Sequence, residues 1–170
     1  MANLLIIGAG GFGRVIREIC AESGLYEEIS FLDDNAKGEN IAGKFCDYEK
    51  LKEKYEYAFA AVGNNPMRAQ WCERLKEAGY IVPDIIHPSA QISKSARLGI
   101  GVAVLQNAVI CTNARIGDGV IVNCGAVIDH DCTVERGAHI CINSVVKSAA
   151  KIGEYVKLEA GEVADKNINA

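Results

Sequence analysis

Between Ile86 and Leu158 an aliphatic residue occupies every sixth position, thirteen times in succession. Four residues after each of the first twelve, the chain carries Ala, Val, Cys or Ser. A period of six fits neither the 3.6 residues of a helical turn nor the alternation of a half-buried strand. It predicts a parallel hexapeptide β-helix, in which the chain turns a corner every six residues and each short strand sends one large side chain inward.

The first half of the chain follows a different pattern, in which short apolar runs alternate with segments of helical spacing. The runs predict strands at residues 3–7, 29–32, 57–62 and 80–85, and the spacing predicts helices at 14–23, 48–55 and 67–78. Such a series predicts a small Rossmann-like βαβ domain with a parallel sheet. Helical spacing ends at His87, so we predict an α/β domain at 1–84 and an all-β domain at 85–170.

Composition narrows the classes of partner. A net charge of −4 without a basic stripe argues against nucleic acid. The longest apolar run is far shorter than the ~20 residues of a membrane span, and no secretory leader opens the chain. The seven cysteines have no C-x-x-C spacing, which predicts reduced thiols in a cytoplasmic protein. No ligand spacing for a metal is present, so we expect no metal site.

A glycine-rich loop, Gly8-Ala-Gly-Gly-Phe-Gly13, joins the first predicted strand to the first predicted helix. Gly8, Gly10 and Gly13 satisfy G-x-G-x-x-G, a pattern that lets the backbone and the helix N-terminus approach a phosphate. Asp33 follows Gly13 by twenty residues, where an acidic side chain reaches a ribose hydroxyl. Three interpretations remain open: a nucleotide or nucleotide-sugar site, an NAD-type site, or a tight turn that binds nothing.

Gly63, Asn64 and Asn65 follow the third predicted strand, at the edge of the sheet where ligands of α/β proteins gather. The asparagines could hydrogen-bond a sugar or a base. They could equally cap the helix that begins at Pro66.

Two of the three histidines lie inside the six-residue repeat. His130 comes two positions after the inward Ile128, at a corner, and is flanked by Asp129 and Asp131. An imidazole held by a carboxylate can take a proton from an amine or a hydroxyl at neutral pH. The alternative is a surface histidine that is hydrogen-bonded to a neighbouring acid. We expect His87, beside Pro88, to be structural.

The chain resembles the PglD/NeuD family of sugar O- and N-acyltransferases in a series of segments. In chain order these are the glycine loop, FLDD, VGNN, IIHPSA, the hexapeptide repeats, Val122-Asn123 and the two histidines. The resemblance covers nearly the whole chain. It implies a homotrimer of left-handed β-helices with sites at subunit interfaces, a nucleotide-linked amino sugar on the N-terminal domain, and acetyl-CoA as acyl donor. Exposed edges of a short β-helix also favour self-association.

The same resemblance implies roles for individual residues. His130 matches the general base, and Asp131 matches its acidic partner, which is usually Glu. Asn123 and His139 match residues that line the acetyl and acceptor site. The residues that match the sugar-nucleotide cradle are Gly8, Gly10, Gly13, Asp33, Asp34, Gly63 and Asn64.

The chain departs from the family pattern at three places. Phe12 replaces a frequent histidine of the glycine loop, and Ser148 replaces a glycine where bare backbone meets acetyl-CoA. The repeat pattern ends near Leu158, with Glu162 at a position that should be small, which predicts a shortened C-terminal part of the donor site. We therefore expect an acetyl-CoA-dependent sugar acetyltransferase, the alternative being a sugar-nucleotide-binding protein that has lost acyl transfer.

Overall fold

Four parallel strands form the sheet of the N-terminal unit in the computed structural model, which describes residues 2–169. In chain order the elements are β1 (Ala2–Ile7), α1 (Gly11–Ser23), β2 (Tyr26–Leu32), β3 (Ile41–Gly43), β4 (Tyr57–Ala60) and α2 (Asn65–Glu77). The strand order is β3-β2-β1-β4. Leu4, Leu5, Ile6 and Ile7 are all fully buried, as expected for a parallel strand that is covered on both faces. This unit ends at Pro83.

Three segments of this unit differ from the sequence prediction. Residues 48–55 are not an α-helix, because this segment contains a short 3₁₀ helix at Glu49–Leu51, which is preceded by another at Phe45–Asp47. The apolar Tyr48 and Leu51 are three residues apart, which is the 3₁₀ period. Of the predicted strand at 80–85, this sheet contains a single bridge between Tyr57 and Ile81, and Ile85 belongs to the first strand of the second unit. Pro83 lacks the N–H that a longer ladder would need. Strand β3, which pairs with β2, was not predicted.

The second unit begins at Asp84 and consists of two-residue strands that recur every six residues. They are β5 (Ile85–Ile86), β6 (Gln91–Ile92), β7 (Arg97–Leu98), β8 (Ala103–Val104), β9 (Val109–Ile110), β10 (Arg115–Ile116), β11 (Ile121–Val122), β12 (Val127–Ile128), β13 (Thr133–Val134), β14 (His139–Ile140), β15 (Val145–Val146), β16 (Lys151–Ile152), β17 (Lys157–Leu158) and β18 (Val163–Ala164).

Every third strand pairs in parallel, so the strands stack into the three faces of a left-handed β-helix. Face 1 contains β5, β8, β11, β14 and β17; face 2 contains β6, β9, β12, β15 and β18; face 3 contains β7, β10, β13 and β16. The second residue of each central strand points inward and is buried, as Val122, Ile128 and Val134 are. The six-residue hydrophobic pattern therefore forms the core.

A second six-residue period lies at the corners. From Gly101 to Gly161, every sixth residue has a positive φ. Most of these positions carry glycine, asparagine or aspartate, the residues that adopt the left-handed conformation at least cost. Asp131 (φ 60°) is one of them, while Ala149 and Tyr155 are the exceptions to the preferred residue types. The corners thus constrain residue type in addition to the core.

The β-helix extends beyond the predicted last repeat. Strand β18 pairs with β15, and Ala164 occupies the inward position with 1% exposure. Glu162 is half-buried and does not disrupt the corner, because its carboxylate accepts a hydrogen bond from the amide of Glu159 at 2.7 Å. The expected end near Leu158 is therefore one strand too early. Within residues 2–169, no helix has the length and apolar character to cross a membrane.

Candidate active site

The corner between faces 2 and 3 places His130 and Asp131 side by side in solvent. Nδ1 of His130 lies 2.7 Å from Oδ2 of Asp131, and the two side chains are 56% and 52% exposed. Because a carboxylate can only accept, it holds the proton on Nδ1 and leaves Nε2 of the neutral ring with a free lone pair. Among the described residues, Nε2 has no hydrogen-bond partner. The pair is arranged as a base with an orienting acid.

The pKa shifts of His130 and Asp131 also favour a base with an orienting acid. The hydrogen bond that His130 donates to Asp131, followed by the charge of Asp129, raises the pKa of His130 above its usual value. The pKa of Asp131 is lowered in turn, by the hydrogen bond with His130 first and then by the one with Asn113. A more basic imidazole that stays oriented is better suited to proton abstraction.

Neighbouring coils hold this corner in place. Asn113 lies one coil before Asp131, and its Nδ2 donates to Oδ1 of Asp131 at 3.1 Å. Asn113 and Asp131 both occupy the positive-φ position of their corners. Sequence reasoning missed Asn113, although the recurrence of Asn, Asp and Gly every sixth residue would have revealed it.

Asn123 and His139 meet at the other side of face 2. Asn123 follows β11, and His139 stands outward on β14, the neighbouring strand of face 1. Oδ1 of Asn123 accepts from the amide of Cys124 at 2.8 Å, so its Nδ2 is the group that donates to Nε2 of His139 at 3.0 Å. This Nε2 therefore accepts a hydrogen bond, unlike the exposed Nε2 of His130.

The predicted β-helix site residues thus fall into two groups within one chain. Ser148 is exposed at the corner of His130, one coil further on, where the amide of Ala149 donates to the carbonyl of His130 at 3.0 Å. Asn123 and His139 lie on the opposite side of face 2. The structure brings His130, Asp131 and Ser148 together, and separately Asn123 and His139.

In the N-terminal unit the glycine loop connects β1 to α1 and is shaped by close backbone contacts. Gly8 has φ +105°, and a Cβ there would lie 2.9 Å from the carbonyl oxygen of Ala61. A Cβ on Gly13 would collide with the carbonyl oxygen of Gly8. Gly10, in contrast, faces open space and stands directly before the N-terminus of α1. A phosphate could approach at Gly10 for this reason.

The acidic residues after β2 are engaged with backbone amides. Asp33 accepts from the amides of Ala9, Asn35 and Ala36, each at 2.9 Å, and these bonds lower its pKa. Asp34 accepts from the amide of Phe45 at 3.0 Å. Asp33 thus ties the glycine loop to the end of β2, which places both at one edge of the sheet.

The loop after β4 depends on a buried arginine that the sequence did not single out. Arg68 is fully buried and donates to the carbonyl of Val62 at 3.2 Å and to Oδ1 of Asn65 at 2.9 Å. Burial lowers its pKa to about 10. Asn64 caps α2, since its Oδ1 accepts from the amide of Met67 at 2.9 Å. Gly63, which lies between Val62 and Asn64 in the chain, faces open space.

Comparison with known proteins relates this geometry to an enzyme family. Residues 3–75 match the model of the PglD N-terminal domain. The acetyltransferase domain of PglB from Neisseria gonorrhoeae, solved with acetyl coenzyme A, superposes with a TM-score of 0.95 at 34% identity. The match covers 99% of this chain and 85% of that one. The chain belongs to the PglD/NeuD-like sugar acyltransferase family.

Other members of the PglD/NeuD-like family match over different lengths. PerB from Caulobacter crescentus, solved with CoA and GDP-perosamine, superposes with a TM-score of 0.85 at 28% identity over 99% of this chain and 91% of that one. UDP-N-acetylbacillosamine N-acetyltransferase of Bacillus subtilis is 34% identical over 62% of this chain and 52% of its own length. The chain therefore spans about half of that relative.

The structure also shows the contacts of Phe12 and His87. Phe12 packs edge-on against Phe59 with ring centroids 6.5 Å apart, so its contact is apolar. His87 is engaged locally, with Nδ1 2.7 Å from the hydroxyl of Ser89. In residues 2–169 no three His, Cys, Asp or Glu side chains are grouped to hold a metal ion.

Proposed function

We propose that the protein is an acetyl-CoA-dependent N-acetyltransferase that acts on the amine of a nucleotide-linked amino sugar. The observation that carries this proposal is the His130–Asp131 pair, with 2.7 Å between Nδ1 and Oδ2 and an exposed Nε2. The PglB domain solved with acetyl coenzyme A and the nucleotide-sugar N-acetyltransferases among the relatives support the choice of donor and acceptor.

The chemistry is a direct transfer. The amine nitrogen attacks the thioester carbonyl carbon, and Nε2 of His130 takes the proton that the nitrogen loses. Asp131 stabilises the imidazolium that forms, because its carboxylate accepts the Nδ1 proton in a short hydrogen bond. The C–S bond then breaks, and the sulfur of CoA receives the proton from His130. No covalent enzyme intermediate is needed.

We assign the donor side of the site to His139 and Ser148, and we assign Asn123 to the acceptor side. Nδ2 of Asn123 and Nε2 of His139 form a fixed pair at 3.0 Å that can orient the acetyl thioester. Ser148, one coil beyond His130, borders the path of the pantetheine arm. The hydroxymethyl group of Ser148 is larger than the glycine of the family pattern and narrows this path.

We assign the acceptor's nucleotide to residues 1–84 and catalysis to residues 85–170. The open backbone at Gly10 and Gly63 supports this assignment, as does the loop held by Gly8, Gly13 and Asp33. Asp34 and Asn64 border the same edge of the sheet, where parallel α/β domains bind nucleotides.

A homotrimer would complete the site. His130 stands on one side of face 2, and Asn123 with His139 stands on the other, so a single chain separates them by the width of a face. Face 2 carries an outward stripe of valines in register, Val109, Val127, Val145 and Val163, and Val163 is 55% exposed. Cyclic packing through this apolar face would bring His130 of one chain to Asn123 and His139 of the next. Within residues 2–169 the cysteines form no disulfide, which fits the reducing cytoplasm where we expect the protein to act.

The test is an assay of free CoA release with UDP-, GDP- and CMP-linked amino sugars, with the product's mass measured. Acetylation of an amino sugar is expected, together with a trimer in light scattering. A His87→Gln protein serves as matched control for histidine variants, because His87 lies on the same β-helix with its own local partner. Binding of a nucleotide sugar without any CoA release across the panel would overturn the proposal.

A further inference from the structure

Two arginines stand one above the other on face 3, next to the corner of His130. Arg97 and Arg115 are directly paired in the register of β7 and β10, so their Cα atoms lie about one strand spacing apart, roughly 4.8 Å. Both side chains are exposed. Nη1 of Arg97 donates to the carbonyl of Ala96 at 3.1 Å, which holds its guanidinium close to the corner. Within residues 2–169, Arg115 has no hydrogen-bond or ion-pair partner.

The two guanidinium groups line a surface cavity of about 390 Å³ together with Ser95, Asn113 and Asp131. A second cavity of about 480 Å³ adjoins it and shares both arginines. Asp131 joins the first cavity directly to the catalytic corner, because its other oxygen holds His130. The cavity therefore begins at the residue that orients His130 and extends along the first coils of face 3.

The charges around this cavity are unbalanced in favour of the cations. Asp131 is its acidic lining residue, and both carboxylate oxygens are already engaged, by His130 and Asn113. Lys94 adds an exposed cation at the same corner, two coils before His130. The first cavity is thus lined by two cationic side chains and one acidic side chain, which favours an anion. The adjoining cavity also contains Asp118, Glu135 and Glu154.

We propose that Arg97 and Arg115 form a subsite that binds the diphosphate group of a substrate beside His130, an inference that rests on the proposed function. Arginine binds phosphate oxygens through two parallel N–H groups, and two stacked guanidiniums match two linked phosphates. A diphosphate is present in CoA and in UDP- and GDP-linked sugars, whereas a CMP-linked sugar contains a single phosphate. A diphosphate anchored one coil from the base would hold its substrate with the reactive end toward Nε2 of His130.

The experiment compares Arg97→Gln, Arg115→Gln and the double variant with Lys151→Gln. Lys151 is a matched control because it stands on the same face, two coils from Arg115, and forms a 2.7 Å ion pair with Glu135 outside the first cavity. Loss of a hydrogen bond to a charged group is worth ~1.5–3 kcal/mol, so each arginine variant is expected to raise one KM by about tenfold or more. Little change is expected in kcat or in the control.

The two KM values identify the source of the diphosphate. A rise confined to the KM of the nucleotide sugar assigns the subsite to the acceptor, and a rise confined to the KM of acetyl-CoA assigns it to the donor. Unchanged KM values for both substrates in the double variant would overturn the proposal, as would an equal effect of Lys151→Gln.

A binding measurement separates this proposal from the proposed function. Inorganic pyrophosphate is titrated calorimetrically into the intact protein at low salt, where exposed charges are least screened. Wild type and Lys151→Gln are expected to bind equally, Arg115→Lys more weakly, and the double glutamine variant at least tenfold more weakly. This result stands even if no acetyl transfer is found. Equal pyrophosphate binding by the wild type and the double variant would contradict the subsite itself.

Discussion

The two histidine sites of the β-helix share a scaffold and differ in which ring nitrogen is engaged. His130 is held through Nδ1 by a carboxylate, and its Nε2 faces solvent. His139 receives a hydrogen bond at Nε2 from the amide of Asn123. The first arrangement leaves a basic nitrogen available, and the second occupies it. A histidine's role in this fold is therefore decided by its partner on the neighbouring residue or coil, and not by its place in the repeat.

The largest expected effect comes from substituting each of the two histidines in turn. His130→Gln should lower kcat/KM by about 10²- to 10⁴-fold, because the general base is lost. His139→Gln should lower it by roughly tenfold, because one hydrogen bond to a neutral amide is altered. Steady-state kinetics with both substrates make the comparison. Equal losses in the two variants would show that the two nitrogens do not have different roles.

A smaller effect is expected when the orienting acid is made neutral. His130 acts as a base only while it is unprotonated, and Asp131 raises its pKa, so activity should fall with acidification at a pH above the ordinary histidine range near 6.5. Asp131→Asn should lower kcat/KM by roughly tenfold at neutral pH and move the acid limb to lower pH. The measurement is a pH profile of kcat/KM.

Asp129→Asn is the matched control for that profile. Asp129 raises the pKa of His130 through charge and accepts from the amide of His130, without holding the imidazole. The acid limb of the Asp129→Asn profile should also move to lower pH, but by less than that of Asp131→Asn. An acid limb that stays in place in Asp131→Asn would exclude His130 as the titrating base.

The smallest expected effect distinguishes the contribution of Asp131 to the backbone conformation of the catalytic corner from its contribution to catalysis. Asp131 and Ala149 both have positive φ, close to 60°, where glycine has no steric cost. Asp131→Gly should change the free energy of unfolding by no more than about 1 kcal/mol, while activity falls. Ala149→Gly should raise the free energy of unfolding by up to about 1 kcal/mol. Urea unfolding measures both. A large loss of stability in Asp131→Gly would mean that the carboxylate holds the corner together as well as the base.

Part of the candidate site could be predicted from the sequence, and part could not. His130 and Asp131 are adjacent in the chain, so their hydrogen bond follows from local geometry. Asn113 supports Asp131 from eighteen residues away, and only the coil register brings them together. Arg68 was missed for a different reason. A charged residue in a helix is expected at the surface. Arg68 is nevertheless buried, because its guanidinium donates hydrogen bonds to the carbonyls of Val62 and Gly63 and to Oδ1 of Asn65.

The errors in the fold have a similar origin. The segment at 48–55 has few apolar residues, so local spacing alone did not distinguish an α-helix from 3₁₀ turns. The repeat was predicted to end near Leu158 because Glu162 stands at a position that should be small, yet Ala164 fills the inward position of the last described coil. Both cases are decided by packing against elements that are distant in sequence.

By itself, the sequence determined the β-helix and its core, because a six-residue period can be buried in only one way by a chain that turns at each repeat. It also determined the parallel sheet, the glycine loop and the His130–Asp131 pair, which depend on near neighbours. Only the tertiary structure decided which ring nitrogen of each histidine is engaged, that Asn123 and His139 lie apart from His130, and that Arg97 and Arg115 are stacked. These features depend on the register between coils, which joins residues eighteen positions apart.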